Sequence, residues 1–409
     1  TLRAGALVAG TTIGAGVLAL PTATAPCGIL PSSIAMGVAW IYMTMSGLLI
    51  AELSLNRMGD TGRTGGGLLD LYKASLGVGW GRVGSVAYFF LHYAVLVAYI
   101  AQGGLNVNEL LPIGNFVGFG QVVFAGGIAG SIYWMKPSVV EKINSILVGG
   151  VFITFLAITS IGARTADMNA LFSPINQHPS EVVNAFPILF LSMVYHNIVP
   201  TIVTQLEGDR SKIIRAIIGG TSSVFVMLLV WNAVILGNIV GSNVEQINPV
   251  ALLQSGEFGG PALGSLVTIF SELALVTSVI GFVYGLTDSL TDVAGIANEG
   301  PEYETYKPLV FAGVFLPPLA LSIANPDIFF DALDYGGAFG VSTLFLVLPS
   351  IMAWKERYGE EQKPVITKPL VPFGKISLAS MWKAAATLIF EQGADKIGLF
   401  DFIGNVIHT

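Results

Sequence analysis

Three ionisable side chains interrupt otherwise apolar stretches of this 409-residue chain: His92, His196 and Glu272. An ionisable group in an apolar membrane setting is costly to keep and marks a functional candidate. Imidazole titrates near ~6.5 and can carry a proton at physiological pH. It can equally stay neutral as a hydrogen-bond partner. Glu272 can relay a proton or bond between helices. Asp331 and Asp334 sit nearer one end of their apolar run.

Two backbone clusters add a different chemistry: Gly10-Thr11-Thr12-Ile13-Gly14-Ala15-Gly16, and Val194-Tyr195-His196-Asn197-Ile198-Val199-Pro200. Three glycines in one cluster and a terminal proline in the other loosen helices where lipid forbids free amide and carbonyl groups. Such breaks are tolerable beside a cavity or ligand. A broken helix offers amides at one half-helix start and carbonyls at the other half-helix end. An amino acid carries the matching groups: the amides of Ala15, Gly16 and Val17 suit an α-carboxylate, and carbonyls near Gly10, Thr11 and Tyr195 suit an α-ammonium. The competing role for the glycines is close helix packing.

The elements that must position these groups are membrane helices. The chain is 53% hydrophobic and 11% charged, with a mean hydropathy of +0.73. Soluble domains carry about a quarter charged residues. Apolar runs between charges and turn residues predict ten spans, at 4–25, 31–53, 83–104, 117–135, 142–162, 183–205, 213–240, 262–287, 308–323 and 328–354. Fifteen of the Lys and Arg residues then fall in loops on one side, against Arg164 alone in the opposite loops. The positive-inside rule places the amino terminus with the fifteen, on the cytoplasmic or stromal side.

Five spans reverse the direction of the next, so residues 1–162 and 183–354 form two five-helix units of inverted orientation, each opening on a broken helix. Paired breaks in an inverted repeat point to the substrate site of a secondary transporter. The whole chain reads as one all-α polytopic membrane domain. Residues 65–76 suit a helix along the inner surface, and 249–254 a short helix outside. The tail, 355–409, is expected to hold a short or interfacial helix at 376–390, with an eleventh span as the alternative, and a second surface piece at 397–407. The single cysteine, Cys27, excludes an internal disulfide and a thiolate metal site. No Walker sequence, metal constellation or charged pore ring is present in the sequence, which argues against an enzyme, a pump and a channel. No cofactor, metal or nucleic-acid partner is expected. Thr1 at the start is compatible with loss of a leader or transit peptide.

Gly10-Thr-Thr-Ile-Gly-Ala-Gly-Val-Leu-Ala-Leu-Pro21, Ala51-Glu52-Leu53 and Phe90-Leu-His-Tyr-Ala-Val-Leu-Val-Ala-Tyr-Ile-Ala-Gln-Gly-Gly104 resemble segments of the tryptophan/tyrosine permeases. The resemblance implies the amino acid/polyamine/organocation superfamily and the five-plus-five inverted-repeat, leucine-transporter-like fold with discontinuous helices 1 and 6. It implies proton-coupled uptake of an aromatic amino acid such as tyrosine or tryptophan, in a bacterial plasma membrane or plastid envelope. Thr11, Thr12, Ile13, Gly14, Ala15 and Gly16 would then be the unwound part of span 1, and Tyr195, His196 and Asn197 that of span 6. His92, Tyr93 and Tyr99 are the third-span candidates facing them, with His92 favoured; aromatic rings there can stack on an indole or phenol. For the coupling ion, His92, His196 and Glu272 serve a proton. Thr277 and Ser278 resemble the hydroxyl pair that holds sodium in relatives of this fold, with the Gly10 and Ile13 carbonyls completing the set; this sodium scheme ranks second. The alternatives in function are another neutral amino acid as substrate and a nontransporting membrane receptor.

Overall fold

The computed structural model describes residues 1–14, 16–61, 67–110, 116–240, 249–257, 259–297, 300–359 and 368–397. Every regular element among them is helical. In chain order these are α1 (Leu2–Thr12), α2 (Gly16–Thr24), α3 (Ile29–Thr61), α4 (Leu68–Leu76), α5 (Val78–Leu110), α6 (Phe119–Trp134), α7 (Pro137–Thr165), α8 (Met168–Leu171), α9 (Val182–Leu191), α10 (Val199–Gln205), α11 (Arg210–Ile239), α12 (Pro249–Gln254), α13 (Pro261–Ala294), α14 (Pro301–Ala324), α15 (Phe329–Tyr335), α16 (Leu348–Tyr358) and α17 (Gly374–Lys396). Among the described residues, eight segments are long and apolar enough to cross a bilayer, or nine when the bent pair α1 and α2 counts as one. The remaining expected span, α6, has 16 residues. That is about 24 Å at 1.5 Å per residue, short of a hydrocarbon core of ~30 Å.

Sequence signals place the helix ends. Pro137, Pro261 and Pro301 start α7, α13 and α14, where a missing N–H costs nothing. The Asp209 carboxylate accepts from Lys212 N at 3.0 Å at the start of α11, and this bond holds its carboxyl below the usual range. Apolar side chains such as Ile146, Ile153 and Leu156 on α7 and Leu309 and Leu316 on α14 are exposed, as the lipid-facing side of a membrane bundle requires.

Three elements differ from expectation. The inner-surface helix α4 is more than a surface piece: Leu68, Leu71, Tyr72 and Leu76 are buried, and Tyr72 donates to Leu344 O at 2.6 Å. The tail helix α17 has 23 residues rather than fifteen and packs along span 10, burying Leu378, Met381, Ala385 and Leu388. The second tail piece lies almost wholly outside the described residues. Span 10 itself, read as an unbroken helix, widens into π-helical turns over Gly336–Val347. Such a stretch misaligns carbonyls from their usual donors, and here Tyr72 takes that of Leu344 while Ser46 takes that of Phe345. Gly337 permits the approach, because a Cβ there would overlap the Pro187 carbonyl of α9.

Candidate functional site

The first break lies between α1 and α2, whose axes bend by 60°. Around it the backbone is only partly released: Ile13 N still donates to Ala9 O at 3.3 Å, and Val17 N to Gly14 O at 3.0 Å. The hydroxyls of Thr11 and Thr12 bond within their own helix, to Leu7 O at 2.8 Å and Val8 O at 2.7 Å. Ala15 falls outside the described residues. The glycines divide by role. A Cβ on Gly14 would lie 3.1 Å from Ser278 Oγ and 3.8 Å from the Tyr99 hydroxyl, so this break meets α13 and α5. A Cβ on Gly16 would lie 2.6 Å from Ser192 Cα, so Gly16 lets the first break press onto the second. Gly10 has open space on its Cβ side.

The second break runs from Leu191 to Val199, through a single 3₁₀ turn at His196–Ile198. Pro200 occupies the first turn of α10, where its ring is tolerated. Tyr195 Oη and His196 Nε2 both reach the Met43 carbonyl of α3, at 3.1 Å and 3.2 Å. The His196 ring stacks on Phe345 at 4.7 Å. His196 Nδ1 and Asn197 Oδ1 are buried without a hydrogen-bond partner. Unpartnered buried polar atoms are uncommon and need a reason, such as a ligand, ion or water.

Tyr99 joins the first break, packing edge-on to Phe282 with ring centres 5.9 Å apart. His92 lies elsewhere. Two turns along α5 it stacks on Tyr88 at 3.8 Å, with Nδ1 2.8 Å from Tyr88 O and its other edge against Gly285 of α13. Tyr93 donates to Gly313 O at 2.8 Å on α14.

Beyond the breaks, the bundle opens into a cavity of about 1740 Å³ at the end that carries α8 and α12. Its wall includes Leu18 and Thr22 of α2, Gln102 and Asn106 of α5, Gln254 of α12, Ser271 of α13 and Asp334 of α15. Its volume exceeds the roughly 300–1,000 Å³ of a fitted ligand pocket, so it is a vestibule rather than a closed site, and its wall reaches Leu18, two residues past Gly16. None of the sequence-derived residues from Thr11 to Gly16, nor His92, Tyr99, Tyr195, His196 or Asn197, lines it among the described residues. The amides Gln102 and Asn106 escaped the sequence reading because a neutral amide in an apolar helix gives no charge signal.

The sequence profile of the tryptophan/tyrosine permease family matches residues 1–381. The chain belongs to that family. It is 27% identical over 371 residues to the tryptophan-specific transport protein of Haemophilus influenzae, covering 86% of each chain. It is likewise 27% identical over 371 residues to tyrosine-specific transport system 1 of the same organism, covering 88% of each. The low affinity tryptophan permease of Escherichia coli is 25% identical over 372 residues, again 86% of each. The family is one of integral membrane transporters rather than enzymes.

Within this permease chain the coupling candidates occupy different surroundings. Asn106 Nδ2 donates to Glu272 Oε1, and Gln102 Nε2 donates to Asn106 Oδ1 at 2.9 Å, which links Glu272 to the cavity wall. Ser278 sits against Gly14, while Thr277 donates to Leu273 O at 2.9 Å and Ala274 O at 3.1 Å.

The opposite end is closed by charge. Arg357 of α16 grips Glu52 of α3 through two bonds, Nε to Oε1 at 2.7 Å and Nη2 to Oε2 at 2.6 Å, and Leu370 N adds a third at 2.7 Å. The side chains are 5% and 2% exposed, and with Arg357 Nη1 buried without a hydrogen-bond partner the two bonds to Glu52 carry the offset to desolvation. Arg210 Nη2 then holds Pro369 O at 3.1 Å, tying the segment after α16 to the start of α11. The Glu52 of the sequence motif thus has a structural partner that sequence alone did not reveal.

Proposed function

We propose that this chain is a secondary active transporter of aromatic amino acids, tyrosine or tryptophan, working by alternating access and driven by a proton gradient. The observation that carries the reading is the meeting of two broken helices, Gly16 on Ser192, in a bundle that holds a large part-polar cavity. The names of the related transport proteins support an aromatic substrate. Gly14 and Gly16 serve the carboxylate, Tyr195 to Asn197 the ammonium or side chain, and Tyr99 the ring. The unpartnered His196 Nδ1 and Asn197 Oδ1 are the groups that a substrate or an ordered water would satisfy.

The packing supports a five-plus-five inverted repeat. α1 packs on α11 as α9 and α10 pack on α3; α7 packs on α13 as span 10 packs on α5; α5 meets α14 as α13 meets α6. Each pairing maps onto the other when five spans are added. With the basic loops inside, the vestibule faces outward and the Glu52–Arg357 end faces the cytoplasm or stroma. A second reading of the drive, sodium, draws on the contact of Ser278 with Gly14.

Uptake of labelled tyrosine and tryptophan into proteoliposomes under an imposed pH or sodium gradient tests both. Accumulation driven by the pH gradient and competed by phenylalanine more than by leucine is the expected result. Stimulation by sodium at fixed pH reverses the order of the ions, and binding without uptake favours a receptor.

A further inference from the structure

We infer that Glu272 takes the coupling proton and that Asn106 and Gln102 report its charge to the substrate cavity by reversing the direction of their hydrogen bonds. This rests on the proposed proton-driven transport and assigns its coupling residues. As it stands, the chain of bonds runs from Gln102 Nε2 to Asn106 Oδ1 and from Asn106 Nδ2 to Glu272 Oε1. Every donor points at the carboxylate, the arrangement that an ionised Glu272 demands, since a carboxylate can only accept. Asn106 is buried, and both amides belong to the cavity wall.

When Glu272 gains a proton from cavity water, its new O–H is a donor and needs an acceptor. The Asn106 amide supplies one by turning over, so that Oδ1 accepts from Glu272 and Nδ2 points to Gln102. Gln102 must then offer Oε1 to Asn106, which aims its own Nε2 into the cavity. A wall group that presented a carbonyl now presents an N–H donor. Such a donor matches an incoming carboxylate, so proton and substrate each favour the binding of the other. On the other side of the cycle the proton leaves Glu272 for water, the amides turn back, and the donor that met the entering substrate is withdrawn. No covalent bond other than the transferred O–H is made or broken.

The two histidines lack this connection. His92 sits between Tyr88 and Gly285, and His196 bonds the Met43 carbonyl. On the helices packed against α13, the other titratable groups of α5 nearest Asn106 are Glu109, about a turn beyond it, Tyr99, about two turns back, and Tyr93 and His92, about four turns back. Those of α7 (Glu141, Lys142, Arg164), of α6 (Tyr133) and of α14 (Glu302 to Lys307) lie toward helix ends, and α12 has none. Among the ionisable wall groups, Asp334 is already held by Lys396 at 2.7 Å, and His178, Glu181 and Asp327 lie before α9 and between α14 and α15, on neither α5 nor α13.

The test uses purified full-length protein in proteoliposomes. Wild type under a gradient of about one pH unit should accumulate substrate up to about tenfold, the limit of one-to-one coupling. Glu272→Gln should lose that accumulation, and its substrate exchange between equal internal and external pools should no longer vary with pH. Asn106→Ala removes a donor to the carboxylate, favours the protonated form and should move the pH midpoint of uptake upward by about one unit. If Glu272→Gln is inactive altogether, the Asn106→Ala midpoint decides. Undiminished accumulation in Glu272→Gln, or an unmoved midpoint in Asn106→Ala, overturns the assignment. Failure of wild type to accumulate substrate under any pH gradient defeats the proton-driven reading itself, whatever the variants do.

Discussion

The two ends of the bundle close and open with opposite chemistry. At the vestibule the polar groups of a largely apolar wall are mostly neutral amides and hydroxyls, such as Gln102, Asn106, Gln254, Thr22 and Ser271, which can exchange partners at little electrostatic cost; His178, Glu181, Asp327 and Asp334 are its ionisable members. At the other end a buried carboxylate and guanidinium hold each other, with a backbone N–H as a third donor to the carboxylate. Neutral groups suit a surface that must bind and release; a desolvated ion pair suits a seal that is either whole or open. Alternating access requires the second kind to part when the first kind closes, and that contrast can be attacked at several points.

The largest effect is expected where neither end is involved. Gly16→Leu would drive a side chain into the Ser192 backbone, and even Gly16→Ala overpacks this contact, at about 1–3 kcal/mol. Uptake per inserted molecule should vanish for leucine and fall severely for alanine. Gly126→Ala on exposed α6, with open space around the new methyl, is the matched control. Normal uptake by Gly16→Leu would mean that the two breaks need not touch.

Next comes the seal. Glu52→Gln keeps the shape but strands the Arg357 charge, and breaking a buried pair from one side costs about 3–5 kcal/mol. The population should move toward a state open at the basic end. A Val203→Cys reporter on α10, buried here, would then label faster with a membrane-permeant maleimide. The native background is low, because Cys27 is buried and its thiol is pushed up to about 11 by that burial and by the Glu181 carboxylate. Equal labelling rates with and without Glu52→Gln would show that the pair is not a seal.

How far the sequence could see this contrast follows from the physics of each part. Most spans and both breaks are legible because hydropathy, glycine and proline act locally. The two helices that meet Gly14, α5 and α13, are approached through Tyr99, Thr277 and Ser278, but nothing local separates Gly14, which faces hydroxyls, from Gly16, which faces backbone. His92 drew attention as a charge-capable residue and proves to be packed between α5 and α13. The π-helical stretch of span 10 was visible only as Gly336, Gly337 and Gly340, whose meaning depends on Pro187 and Leu91 across the interface. Glu52 stood in a recognised motif, yet its partner Arg357 lies 305 residues away and only the folded chain joins them.

The smallest effect tests whether charge at the open end matters less than the ion pair at the other. Lys396 of α17 pairs with Asp334 on the cavity wall, and the two side chains are 28% and 7% exposed. A pair with one partner this open is worth about 1 kcal/mol or less, so Lys396→Ala should change the KM for substrate by no more than about fivefold. Its direction is set by the uncompensated Asp334 carboxylate, which attracts the ammonium and repels the carboxylate of the same substrate. High salt should erase most of the change, since the solvated part of the pair is screened. The maximal rate should hold, because nothing in this pair crosses from one half of the seal to the other. A loss of rate as large as that of Glu52→Gln, insensitive to salt, would place a second ionic clasp at the mouth of the vestibule and remove the asymmetry between the two ends.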